Sequence, residues 1–179
     1  MRSMMVPSRT FILLVAVWMS AVGPRALAEA AVDFSGVWVL DKAASDSVDA
    51  MLKSQGLSYV ERLAADNVVV TQTITQDADK VTIHATSAVS DTLEILDLSE
   101  KEQQKVSDRF GPALVRTYWS DDRTSLITES KMTLENGRKG LMVIRRRLID
   151  NGQTMRQDLE WTLEGEKPIK IKRILRKKK

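Results

Sequence analysis

The sequence predicts an all-β domain, an antiparallel barrel or sandwich of nine to ten strands with two short helices near its start. Three observations lead there. Turn signals recur at short, fairly even intervals, at Gln76-Asp-Ala-Asp79, Asn136-Gly137, Asn151-Gly152 and Glu164-Gly-Glu166, and the Asn-Gly pairs are strong hairpin signals. Between the turns, apolar and polar residues alternate, as they do in a strand with one face inward. Ahead of them, Phe34-Ser-Gly-Val-Trp38-Val-Leu40 sets an aromatic, a glycine and a tryptophan at two-residue spacing. That spacing suits a first barrel strand, where glycine permits a close bend and the indole closes the floor.

In chain order, strands are expected near 36 to 41, 67 to 76, 80 to 87, 92 to 98, 113 to 120, 124 to 135, 140 to 150, 153 to 164 and 168 to 176, with a tenth possible. Two helical stretches follow the first strand. Val48, Met51, Leu52 and Gln55 fall at helical spacing, and Tyr59, Val60, Leu63 and Ala64 do so again, which reads as two buried apolar stripes. From Ser99 to Asp108 the chain is polar and rich in helix formers, so a short surface helix or a loop is expected there.

The segment before Phe34 has a separate role. Arg2 and Arg9 flank the start of an apolar run from Phe11 to about Val22, and Ala26-Leu27-Ala28 supplies small residues for a signal peptidase. A signal peptide over 1–28 is expected, with cleavage after Ala28, or after Ala30 as second choice; an uncleaved anchor is the alternative. The whole chain carries 27 Lys+Arg and 24 Asp+Glu, and this segment holds three arginines and no acid, so the mature chain is neutral. Its charge is polarised: eight basic residues and no acid lie between Lys167 and Lys179. There is no cysteine and no Asn-x-Ser/Thr acceptor, which sits easily with an exported, periplasmic or secreted protein. The expected organisation is the signal peptide, one domain over 29–176, and a basic tail over 177–179.

Parity identifies the inward residues. Met155, Gln157, Leu159, Trp161 and Leu163 alternate with charged and polar neighbours, so this set is expected to face in. Met142, Ile144, Arg146 and Leu148 share a face, as do Ile169, Ile171, Arg173 and Leu175, and one arginine interrupts each apolar row. A buried guanidinium cannot shed its proton and is costly to desolvate. It needs a carboxylate, a phosphate or trapped water beside it, or a paired glutamate within the protein. A lipid carboxylate would be a planar, bidentate partner.

Phe34-x-Gly-x-Trp-x-Leu40 resembles the start of the intracellular lipid-binding proteins, the fatty-acid-binding family of the calycin barrels. Residues 47–64 are similar to that family's helix-turn-helix lid, and Val68 to Leu98 to its second to fourth strands. The resemblance implies an up-and-down barrel of nine to ten strands under a lid, with a regular strand where 99–108 reads as polar. It implies ligand-contacting roles for Arg146 and Arg173, and for Met51, Leu52 and Tyr59 at the portal. Leu175 stands where the family has a tyrosine, which removes one hydroxyl donor and leaves room for a bulkier or less acidic lipid. True lipocalins share the Gly-x-Trp start and are exported, and they are the second fold candidate.

Catalytic machinery is not legible. His84 is the single histidine and sits mid-strand on an outer face; with no cysteine, an ordinary zinc site cannot be assembled. No nucleophile elbow or phosphate loop occurs. No enzyme activity, cofactor, metal or nucleic-acid partner is expected. The expected function is binding, transport or buffering of a small hydrophobic ligand, a fatty acid or other lipid, by a monomer. Arg146, Arg173, Met51, Leu52, Tyr59, Gln157 and Trp161 are the candidate contacts. The basic C-terminus is a candidate for contact with anionic membrane. The alternative is an exported interaction module with a packed, ligand-free barrel.

Overall fold

The alternating segments form ten antiparallel strands in one sheet, seen in a computed structural model that describes residues 31–107, 111–134 and 136–178. The expected signal peptide and Lys179 lie outside the described residues. In chain order the elements are β1 (Gly36–Leu40), α1 (Asp49–Ser54), α2 (Tyr59–Asn67), β2 (Thr71–Gln76), β3 (Lys80–Thr86), β4 (Asp91–Asp97), β5 (Gln103–Ser107), β6 (Gly111–Trp119), β7 (Ser125–Thr133), β8 (Lys139–Ile149), β9 (Thr154–Leu163) and β10 (Ile169–Lys177).

The strand order is β4-β3-β2-β1-β10-β9-β8-β7-β6-β5. Each strand pairs with its sequence neighbour, except that among the described residues no ladder joins β4 to β5, and β1 pairs with β10 as well as with β2. The meander is thus curled into an incomplete barrel with one unpaired seam. Side chains cross that seam: the Lys105 amine donates to the Ile95 carbonyl, and Gln103 hydrogen-bonds Asp97, whose carboxyl stays below the ordinary range chiefly through Ser99.

Two apolar clusters fill the ends of the barrel. The floor gathers Phe34, Trp38 and Leu40 with Ile74, Val81, Ile83, Leu96, Leu126, Met155 and Leu175. Trp38 is fully buried and its indole N–H donates to the Phe34 carbonyl at 2.8 Å, so it packs the floor and has its polar atom satisfied. Gly36 bends the chain here with φ at 137°, a conformation that costs a side-chain-bearing residue. Trp119 faces in and stacks on Phe34 at 6.0 Å, while Tyr118 faces out and donates to Glu129 at 2.7 Å.

The second cluster closes the opposite end. Met51, Leu52, Val48 and Leu57 from the helical region bury against Trp161, Leu163, Ile171 and Leu134. Trp161 also donates from Nε1 to Ser54 Oγ at 2.8 Å, tying α1 to β9. The indole lies against Gly140 so closely that a Cβ there would come within 2.1 Å of Cη2. Glycine at 140 is therefore a packing requirement.

Four features differ from the sequence-based expectation. The polar stretch after Ser99 contains β5, because its register opposite Val115 and Ala113 supplies backbone partners that its own weak alternation does not advertise. The second strand begins at Thr71, since α2 runs to Asn67. Helix α2 buries none of its side chains, and Tyr59, Val60 and Leu63 are exposed. The last strand runs one residue further than expected, since Lys177 belongs to β10 opposite Trp38; Arg176 before it pairs with Asp41 and Asp150.

Gly140→Ala should lower the unfolding free energy by about 1 to 3 kcal/mol, the usual cost of overpacking a filled core. Denaturant melts of the two proteins measure this, and an unchanged midpoint would show that Trp161 moves aside freely.

Candidate functional site

Between the two apolar clusters the inner surface turns polar. Arg146 on β8 lies directly opposite Gln157 on β9, and Gln157 directly opposite Arg173 on β10. Below this row sit Leu148, Met155 and Leu175, and above it Ile144, Leu159 and Ile171. The polar row therefore crosses the barrel between its two apolar ends.

Arg146 is the central group, with 4% of its surface exposed. Arg145 and Arg147 flank it on the outer face, as strand alternation requires. Its Nη1 donates to Thr128 Oγ1 at 3.1 Å, and Thr117 Oγ1 donates to the same oxygen at 3.4 Å. Its Nη2 lies 3.9 Å from a carboxylate oxygen of Glu94, too far for a hydrogen bond but close enough for charge attraction. Its Nε has no hydrogen-bond partner among the described residues. Burial pushes the guanidinium's pKa down and Glu94 opposes this, so the group is a cation short of partners.

Gln157 is buried and donates from Nε2 to Gln72 Oε1 at 3.0 Å, linking β9 to β2. Arg173 is half-buried and lines a pocket of about 160 Å³ with Leu40, Ser45, Val48 and Asp66. Burial lowers its pKa, the Asp66 carboxylate counters that, and its Nε also has no partner among the described residues. The two arginines share a row, yet each has its own acid: Glu94 for Arg146 and Asp66 for Arg173.

The inward-facing side chains above the row are less covered than those at the floor. Met142, Ile144 and Leu159 point into the barrel and remain only partly buried, as does Ser130. Met142 and Leu159 pack against the closing cluster, and the Ile144–Leu159 pair is the next inward position to Arg146–Gln157. Met51, Leu52 and Trp161 are packed into the closing cluster beyond it. Tyr59 stands apart from this group: it is 66% exposed on α2, with the Arg62 guanidinium 5.8 Å from its ring centroid.

Glu94, Gln72, Thr128 and Thr117 were not anticipated from sequence. Parity alone would have put Thr128 and Thr117 inward, but their meeting with Arg146 depends on strand order. Glu94 is 52 positions from Arg146 and acts across the seam, which no local pattern encodes. His84 is on the outer face, bonded to Asp91 at 2.7 Å, and among the described residues no cluster of His, Cys, Asp or Glu is arranged to hold a metal ion.

No protein-family model matches this chain, and no curated protein matches it in sequence. Solved structures do match. Lipid binding protein 8 of Caenorhabditis elegans, in its apo form, is 16% identical with a TM-score of 0.63, covering 81% of this chain and 95% of its own. Human cRBP IV is 20% identical at a TM-score of 0.62, covering 82% of this chain and 99% of its own. The Schistosoma mansoni fatty acid binding protein, solved in complex with arachidonic acid, is 20% identical at 0.61, covering 82% and 96%. The chain thus has the fold of the fatty-acid-binding and related lipid-binding barrels of the calycin class.

Proposed function

We propose that this chain binds a small hydrophobic ligand, a fatty acid or related lipid, inside its barrel, and carries or buffers it without chemical conversion. The observation that carries this reading is the Arg146 guanidinium, buried beside partly covered Met142, Ile144 and Leu159 with hydrogen-bonding capacity to spare. A purely structural cation in such a place would need its donors saturated, since an unmet buried donor costs about 1 to 3 kcal/mol, and more when charged. An apolar body against those side chains and an oxygen on the guanidinium would meet both demands. Burial of the body would contribute about 25 cal/mol per Å² of apolar surface removed from water. The lipids named for proteins of the same fold are consistent with this.

Residues 1–28 are the export signal in this reading, and the ligand is met outside the cytosol. Expression in a bacterial host should yield a periplasmic chain whose intact mass begins at Glu29 or, second, at Ala31. A full-length mass in the membrane fraction would favour the uncleaved anchor.

Native mass spectrometry of the detergent-free mature chain, followed by organic extraction, tests the binding itself. A stoichiometric adduct released as a defined lipid is the expected result. A mass that stays apo after incubation with fatty acids, phospholipids and isoprenoids would instead favour the interaction-module reading, which the exposed Leu93, Ile95 and Val106 beside the seam support.

Arg146→Leu should weaken lipid binding by about tenfold or more, the equivalent of one charge-assisted hydrogen bond. The barrel should remain folded, because replacing an incompletely paired buried ion by an apolar residue is often neutral or stabilising. Unchanged affinity in a folded variant would remove Arg146 from the head-group role.

A further inference from the structure

The inner face of β4 carries a carboxylate. Glu94 pairs in register with Ile83, which is buried, and alternates with Leu96, which is fully buried in the floor cluster. Glu94 therefore has inward parity on a strand whose outer face shows Leu93 and Ile95 to solvent. Its side chain is 45% exposed, because β4 borders the unpaired seam.

Charge and hydrogen bonding are decoupled at Arg146 as a result. Glu94, 3.9 Å from Nη2, offsets the positive charge without taking a donor into a hydrogen bond. Thr128 takes one donor, and Nε is left without a partner among the described residues. The site therefore lacks acceptor oxygen more than it lacks negative charge. A ligand carboxylate on this guanidinium would arrive beside a second carboxylate, and two carboxylates sharing one site disfavour each other's ionised form. A hydroxyl, carbonyl or ester oxygen would accept the same N–H groups without that repulsion. The polar side chains nearest it, Thr128, Thr117, Gln157 and Gln72, are uncharged, and Arg173, beyond Gln157 in the same row, has Asp66 as its own counter-charge. Leu175 at the floor offers no hydroxyl that would favour an acid head.

We propose that Glu94 is a specificity-determining residue, a built-in counter-charge that biases the barrel toward lipids with an uncharged, oxygen-bearing head group and against free fatty acids. The inference rests on the lipid-binding reading above and names the head-group class for that same site.

Oleic acid and oleyl alcohol, which differ only in the head, separate the possibilities. Their dissociation constants are measured at neutral pH on the delipidated mature chain and on Glu94→Gln, by displacement of an uncharged fluorescent probe. The wild-type protein should favour the alcohol. Glu94→Gln should tighten oleate by about tenfold, the effect of one like-charge contact, and leave the alcohol within about twofold. Equal oleate affinity in the two proteins, with alcohol binding intact, overturns the inference while lipid binding stands. Wild-type preference for oleate also overturns it, and needs no variant. Failure of both ligands to bind the wild-type chain overturns the lipid-binding reading, and the inference falls with it.

Discussion

A guanidinium that cannot lose its proton, held in the middle of an apolar barrel, is the constraint around which this interior is arranged. Arg146 lies where β8 has no solvent to offer, and each polar side chain near it is placed with respect to it. Thr128 accepts from it, Thr117 donates to that same threonine, and Glu94 supplies charge from across the seam. Gln157, its direct neighbour on β9, is committed to Gln72. An interior of aliphatic side chains alone would have packed more easily and been at least as stable. The polar row divides the core into a floor and a closing cluster, and the less covered apolar surface lies just above it on the lid side.

The two ends of the barrel are held by different means. The floor depends on indole and aliphatic burial, with Trp38 hydrogen-bonded to its own strand's start. The lid end depends on α1, whose Met51 and Leu52 enter the core and whose Ser54 receives the Trp161 N–H. Helix α2 is fastened by polar contacts: the Ser58–Glu61 capping box, the Arg62–Asp49 pair at 2.8 Å, and Asp66 accepting the Val48 amide at 3.0 Å. Ala65 packs against the closing cluster but is only partly buried, so little apolar burial opposes displacement of α2, and exposed polar contacts are individually weak.

Strand parity was the most legible feature of the sequence. The rows through Arg146, Arg173 and Trp161 follow from period two, and the structure puts all three rows inside. Strand ends were legible where Asn-Gly or Asp-rich turns bound them. What escaped had no local signature. β5 carries one apolar side chain, Val106, and that one is exposed, because the strand ends the sheet beside an open seam and burial does not impose the usual alternation. The apolar spacing of α2 looked like a core stripe, yet its neighbours leave it in solvent. Gly140 carries no sign in the sequence that a tryptophan on the next strand needs its space.

The seam connects these omissions. A closed barrel would set β4 and β5 in register and leave no exposed flank for Glu94. With the seam open, Lys105 and Gln103 reach across to β4 main chain and to Asp97, while Glu94 keeps one side in water and the other toward Arg146. Water reaches the outer side of a side chain in that position, so less of its solvation is lost than in one sealed inside. Glu94 can therefore remain a charge partner for a deeply buried arginine without needing a hydrogen bond from it. The open edge, which leaves the sheet without a ladder on one side, is thus what permits the interior to hold a cation whose charge is offset while its Nε is left without a partner among the described residues.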